Sequence, residues 1–229
     1  MVKRHLKRIA TPRTWILKRK ETTFITKPRS GHTLALQLSI TVLLRDMLKV
    51  AERRREVTRI LEHQEVFVNG KRIKDKKIGI GFMDVLTIPS VQIACRLSLD
   101  KKGRLILVPI EASEAHFLLN KIQEKTILPQ GKTQLNLMNG MNFIVEKDVY
   151  KRGDSLLIDM KQKKVSQHFP LGKNASIILT AGKHMGEQGI IQDIVGKHLM
   201  YKTKEGRMVQ TLREYACVVG KENPVVKIQ

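Results

Sequence analysis

Apolar residues first fall into a regular pattern at Ile40, Leu43, Leu44, Met47 and Leu48, a recurrence of three and four that predicts a helix with one buried face. Ser39 precedes it as a suitable N-cap. A second helix is predicted in "ERRREVTRILEHQ", residues 52–64, with Val57, Ile60 and Leu61 as its inward stripe. The period then drops to two. In "EVFVNGKRIKD" Val66 and Val68 alternate around Phe67, Asn69-Gly70 supplies the positive φ of a tight turn, and "DVLTIP" reads as a return strand.

Beyond Pro89 most of the chain alternates. "CRLSLDKKGRLILVPI" and "QLNLMNGMNFIVE" read as hairpins, and "YKRGDSLLIDM" as a turn and strand. Between the two hairpins "EASEAHFLLNKIQEK", residues 111–125, is predicted helical from the spacing of Ala115, Leu118, Leu119 and Ile122. Five short runs close the chain, "SIILT", "GIIQDI", "HLMYKT", "RMVQTL" and "ACVVG", and their even spacing suggests a small closed barrel. Residues 1–38 have no apolar period and are interrupted by Pro12, Pro28 and Gly31, so an extended arm is expected there. The predicted class is α+β: an arm (1–38), a small helix-helix-strand domain (39–92), a central β-rich domain (93–170) and a C-terminal barrel with tail (171–229).

Charge changes this picture most. The 229 residues carry a formal charge of +22, and eight of the nineteen positions from 2 to 20 are Lys or Arg with no acid among them. A block of like charge repels itself unless an anion lies against it, so the field favours nucleic acid or an anionic membrane surface. Residues 1–77 hold 21 Lys or Arg against 7 Asp or Glu, which puts the partner mainly on the first third. No run of 18 apolar residues predicts a membrane span. Cys95 and Cys217 sit alone in apolar alternating runs and read as buried thiols.

On the second helix, packing Val57, Ile60 and Leu61 inward aims Arg55 and Arg59 outward, with Arg53 and Arg54 at the helix start. Cations at a helix N-terminus are disfavoured by the macrodipole, so three successive arginines there fit an external anion. Catalytic signatures fail. "GKT" at 131–133 has Thr126 where a phosphate loop needs its first glycine, and "GIGF" at 79–82 reaches Asp84 where a dinucleotide fingerprint needs its third. The seven histidines show no metal spacing. No enzyme activity, metal, cofactor or small-molecule substrate is expected.

Four blocks, "KRHLKRIATPRTWILKRK", "LLRDMLKVAERRREVTRIL", "VFVNGKRIKD" and "GFMDVLTIP", resemble in order and spacing the archaeal and eukaryotic small-subunit ribosomal protein family S-four-e. "YKRGDSLLIDM" resembles that family's central domain, and "AGKHMGEQGIIQDI" its KOW motif. The resemblance spans essentially the whole chain. It implies an S-four-type RNA-binding domain at 39–92 and an SH3-like KOW barrel at the C-terminus. Many S-four-type domains carry Gly-Asp before the closing strand; this chain has Met83-Asp84.

The implied function is a structural constituent of the small ribosomal subunit, in the cytoplasm, with rRNA and neighbouring ribosomal proteins as partners. RNA contacts are expected along the arm at Lys3, Arg4, His5, Lys7, Arg8, Arg13, Trp15, Lys18, Arg19 and Lys20, and at His32. The helix and turn add Arg53, Arg54, Arg55, Arg59, Asn69, Lys71 and Arg72. The glycine-patterned loop adds Gly182, Lys183, His184, Gly186 and Gly189, where bare backbone can approach a phosphate. Trp15 has two readings, stacking on a base or capping a hydrophobic cluster against the barrel. Free of RNA, such an arm is expected to be disordered. Two other classes remain open on the residues alone, an RNA-modifying enzyme such as a pseudouridine synthase with an S-four-type domain, and a KOW-class elongation factor.

Overall fold

The computed structural model describes residues 5–29, 31–146 and 148–228. The chain forms two compact units, residues up to 98 with 104–115, and residues 99–103 with 116–229.

In the first unit β1 (Leu6–Lys7) pairs antiparallel with β2 (Phe24–Ile25). The arm is therefore not free. Thr14 and Trp15 are buried, and the Leu105 N–H bonds the Thr14 carbonyl at 2.8 Å. β3 (Gln37–Ser39) leads into α1 (Ile40–Val42), whose first turn is capped as predicted: the Ser39 hydroxyl accepts from the Val42 N–H. The helix then widens. Leu48 N–H bonds the Leu43 carbonyl at 2.9 Å, a spacing of five residues that keeps Leu43 and Leu44 fully buried.

α2 (Arg54–His63) buries Val57 and Leu61 completely. β4 (Phe67–Val68) and β5 (Lys71–Arg72) close through Asn69 at φ 50° and Gly70 at φ 71°, the paired left-handed conformation that the Asn-Gly signal calls for. β6 (Gly79–Gly81) pairs with β3, and β7 (Val85–Ile88) follows. β8 (Ile93–Leu99) and β9 (Leu105–Pro109) complete a five-stranded sheet in the order β5-β4-β7-β8-β9. Leu38, Ile40, Phe82, Leu86 and Ile88 are part of the core of this unit.

The second unit begins with a correction. Residues 117–125 of the predicted helix belong instead to the eleven-residue strand β10 (Phe117–Ile127). Leu118, Leu119 and Ile122 satisfy the helical spacing only because the strand is buried on both faces at its start, where Leu118 through Ile122 are all buried. β11 (Thr133–Leu137), β12 (Asn142–Val145), β13 (Ser155–Asp159) and β14 (Lys164–Phe169) join it in the order β12-β11-β10-β13-β14. Leu118, Ile122, Leu135, Leu137, Leu156 and Ile158 are its core. The last five strands, β15 (Ser176–Leu179), β16 (Gln188–Val195), β17 (His198–Thr203), β18 (Met208–Leu212) and β19 (Ala216–Gly220), match the five predicted runs and form an antiparallel sheet ordered β18-β17-β16-β15-β19.

Both cysteines are buried free thiols, as read. Burial pushes Cys95 up to about 12 and also raises Cys217, which retains only 1% exposure. Neither is expected to react with a thiol-specific disulfide reagent at pH 8 in the native protein, whereas both react after denaturation; thiol titration with and without denaturant checks this.

Candidate nucleic-acid interface

The cationic face of α2 follows from how the helix is anchored. Val57 and Leu61, four apart, fix its rotation and leave Arg53, Arg54, Arg55 and Arg59 exposed. Glu56, the one acid among them, is engaged with backbone: its carboxylate accepts the N–H groups of Glu52 at 2.8 Å and Arg53 at 3.3 Å. Those bonds lower its pKa and satisfy two donors that the helix start would otherwise leave open. The four guanidinium groups are thus left to solvent or to a ligand. Lys71 and Arg72 are exposed as well, on an edge strand of the same unit.

Asn69 does not join them. Its amide donates to Asp84 Oδ1 at 2.7 Å and its carbonyl oxygen accepts from the Val85 N–H at 2.9 Å, so it braces the turn from inside. Asp84, 3% exposed, also takes the Gly81 N–H at 2.7 Å and pairs with His32 Nε2 at 3.0 Å. His32 is consequently interior rather than an RNA contact. A Cβ on Gly81 would lie 2.0 Å from the His32 ring, so glycine is required there. Met83 holds φ 69° beside this network, a conformation easiest for glycine, which explains the Gly-Asp usual at this step in S-four-type domains.

The arm shows the same division. Arg8 is 2% exposed, donating to the Lys18 carbonyl at 2.7 Å and Glu21 at 3.0 Å, with Asp46 at 3.4 Å. Arg19 donates to the carbonyls of Ile9, Thr11 and Pro12. Trp15 is 3% exposed and its indole N–H donates to the Leu34 carbonyl at 3.2 Å. These three residues, expected on RNA, instead hold the arm in shape; the ring of Trp15 is a core element of the first unit, closed to base stacking. His5, Lys7, Arg13, Lys18 and Lys20 remain exposed. Lys3 and Arg4 lie outside the described residues.

In the loop at 182–189, Gly182 and Lys183 are exposed, but Gly186 and Gly189 are buried. A Cβ on Gly186 would fall 1.9 Å from the Asp100 carbonyl oxygen, and one on Gly189 2.4 Å from that of Lys202. Their role is close backbone packing within the unit, not approach to a phosphate. His184 is likewise engaged: its Nδ1 pairs with Glu187 Oε1 at 2.9 Å, while Tyr201 donates to Oε2 at 2.8 Å. Burial raises the Glu187 pKa, and the bonds from His184 and Tyr201 outweigh it, so the net shift is downward from 4.5. A lowered carboxyl contributes stability above its unfolded value that is lost as pH falls through the folded one. Amide protection at Gly186 and Glu187 should therefore hold from neutral pH to about 5 and decline below the ordinary carboxyl value, a decline absent in Glu187→Gln; hydrogen exchange corrected for intrinsic rates measures it.

The Asp84 network was the functional-looking feature the sequence pattern concealed. Its one signal is an acid placed inside the apolar run "GFMDVLTIP". Lys121 is a second such case, buried with its ammonium on the carbonyls of Glu214 and Ala216 and its pKa lowered by desolvation.

Comparison with known proteins gives consistent matches along the chain. Residues 2–34 match the RS4NT (NUC023) domain, 42–86 the S4 domain and 94–165 the Ribosomal family S4e. The small ribosomal subunit protein eS4 of Methanosphaera stadtmanae is 37% identical over 233 residues, covering 99% of this chain and 96% of that protein. That of Methanocaldococcus jannaschii is 36% identical over 244 residues, covering 99% and 98%. The crystal structure of the 30S ribosomal protein S4e from Thermoplasma acidophilum superimposes with a TM-score of 0.70 at 29% identity, covering 81% of this chain and 96% of that one.

Proposed function

The chain belongs to the ribosomal S4e family, and from that premise we propose that it binds rRNA through the exposed cations of its first unit. As a member of the family it is a structural constituent of the small ribosomal subunit in the cytoplasm and not an enzyme. The pseudouridine synthase and elongation-factor readings fall with that assignment. The observation that carries the RNA surface is the set of outward arginines on α2, held there by buried Val57 and Leu61. Arg53, Arg54, Arg55 and Arg59, with Lys71 and Arg72, form the main contact; His5, Lys7, Arg13, Lys18 and Lys20 extend it along the arm, and Gly182 with Lys183 supply a further backbone and charge contact. Recognition is by phosphate and shape, because duplex RNA hides its base edges in a deep, narrow groove.

Within this reading residues 1–38 act as the basic arm, 39–92 as the S4-type RNA-binding domain, 93–170 as the central β-rich domain, and 171–229 as a KOW-type SH3-like barrel with tail. The strand order β18-β17-β16-β15-β19 supports the barrel. Ile190, Met200 and Met208 stand outward on β16 to β18, which supports a neighbouring ribosomal protein as an additional partner there. Salt washing tests the assignment: the protein should remain on small subunits through moderate salt, and release into the wash at that salt would contradict it.

A further inference from the structure

The exposed aromatic residue of the arm is not Trp15 but Phe24. β1 and β2 pair Leu6 with Ile25 and Lys7 with Phe24. With a period of two, Leu6 and Ile25 share the inward face, where Ile25 is buried. His5, Lys7 and Phe24 share the outward face. Phe24 is 57% exposed, and the His5 ring meets it edge to face at 5.5 Å and 87°. A phenyl ring held outward by a paired backbone, with an imidazole against it and an ammonium on the residue directly opposite, combines a stacking platform with a phosphate contact.

We infer that the outward face of this hairpin binds an unpaired rRNA nucleotide, its base stacked on Phe24 and an adjoining phosphate at the Lys7 ammonium. The inference rests on the RNA-binding reading above and adds to it the chemical class of ligand taken at this point. The charge around the ring favours a polyanion over an apolar protein segment: the nineteen residues from 2 to 20 contain no acid. Unpaired bases are what RNA-binding proteins stack on aromatic side chains, since every base has a π face.

The test uses the full chain and small-subunit rRNA transcribed in vitro, with affinity measured across salt concentration. Phe24→Leu should weaken binding on the order of fivefold or more without changing the salt slope, and Phe24→Trp should restore it. Lys7→Gln should lower the slope by about 0.7 to 0.9. Ultraviolet crosslinking of the wild type, which depends on no variant folding, should leave a nucleotide adduct on Phe24 or His5. Wild-type binding that is indifferent to Phe24→Leu, or crosslinks that skip this hairpin, would overturn the inference alone. The same holds if Phe24→Leu spares rRNA affinity but lowers incorporation into subunits, which would assign the ring to a protein neighbour. Failure of the wild type to bind rRNA at all would instead overturn the broader reading and this one with it.

Discussion

Asp84→Ala is expected to destabilise the first unit by about 4 kcal/mol or more, with no RNA present. The carboxylate receives the Gly81 N–H and the Asn69 amide and pairs with His32 Nε2, at 2.7, 2.7 and 3.0 Å. The carboxylate and the imidazole lie out of water, their side chains 5% and 2% exposed, and Gly81 is buried, while Asn69 is half-buried. Truncation leaves the Gly81 N–H and His32 Nε2 buried without their partner, each costing about 1 to 3 kcal/mol, and takes a bond from the half-buried Asn69 amide. Trp15, the only tryptophan and buried in the same unit, reports the loss by fluorescence during denaturant unfolding without interference from the second unit. Gly81→Ala should act through the same contacts, because its methyl group would displace the His32 ring from Asp84. Wild-type unfolding midpoints in both variants would mean that the network does not tie the arm to the domain behind it.

The second large effect is on RNA rather than stability. Arg55→Glu with Arg59→Glu is expected to abolish incorporation into small subunits and to lower the salt slope of rRNA binding by about 1.5, while the thermal midpoint stays near wild type. The fold is spared for two reasons. Both side chains are exposed, and the pair remains a like-charge pair four residues apart, so the repulsion within the helix is unchanged in kind. An acid at position 55, in the first turn of α2, even suits its dipole better than an arginine does. The control is Lys161→Glu with Lys163→Glu, exposed in the second unit, which changes net charge equally and should bind rRNA with a slope near wild type. Equal losses from both pairs would attribute binding to the overall field and not to the face of α2. Normal incorporation by a folded Arg55 and Arg59 variant would remove that face from the interface.

What could be read from the residues was local. The Ser39 cap, the Asn69-Gly70 turn and the Val57 and Leu61 stripe each depend on neighbours within four positions, and each stands in the structure. The five final strands were legible for the same reason. Strand β10 was not, because burial on both of its faces lets Leu118, Leu119 and Ile122 fall at helical spacing, and only pairing with β11 and β13 decides between strand and helix. Within the site the failures share one cause. Arg8, Trp15, Arg19, His32 and Asn69 have the chemistry of RNA contacts, and all five spend it on carbonyls or carboxylates elsewhere in the chain, as His32 does on Asp84, 52 positions away. Composition places many cations in the arm but does not say which are satisfied internally. Periodicity succeeded on α2 because burial of two apolar residues leaves the arginines only one direction to face.

The proposed rRNA surface is the face of α2 together with the basic edge strand β5 of the same unit. Crosslinking the tagged protein in cells, with sequencing of the attached RNA and identification of the attached peptides, tests it most directly. The predicted result is crosslinks at a few sites in small-subunit rRNA, with peptides spanning residues 53–59 and 69–72 among the attachment points. Crosslinks spread over nascent transcripts or tRNA, or rRNA crosslinks confined to peptides of the second unit, would contradict it.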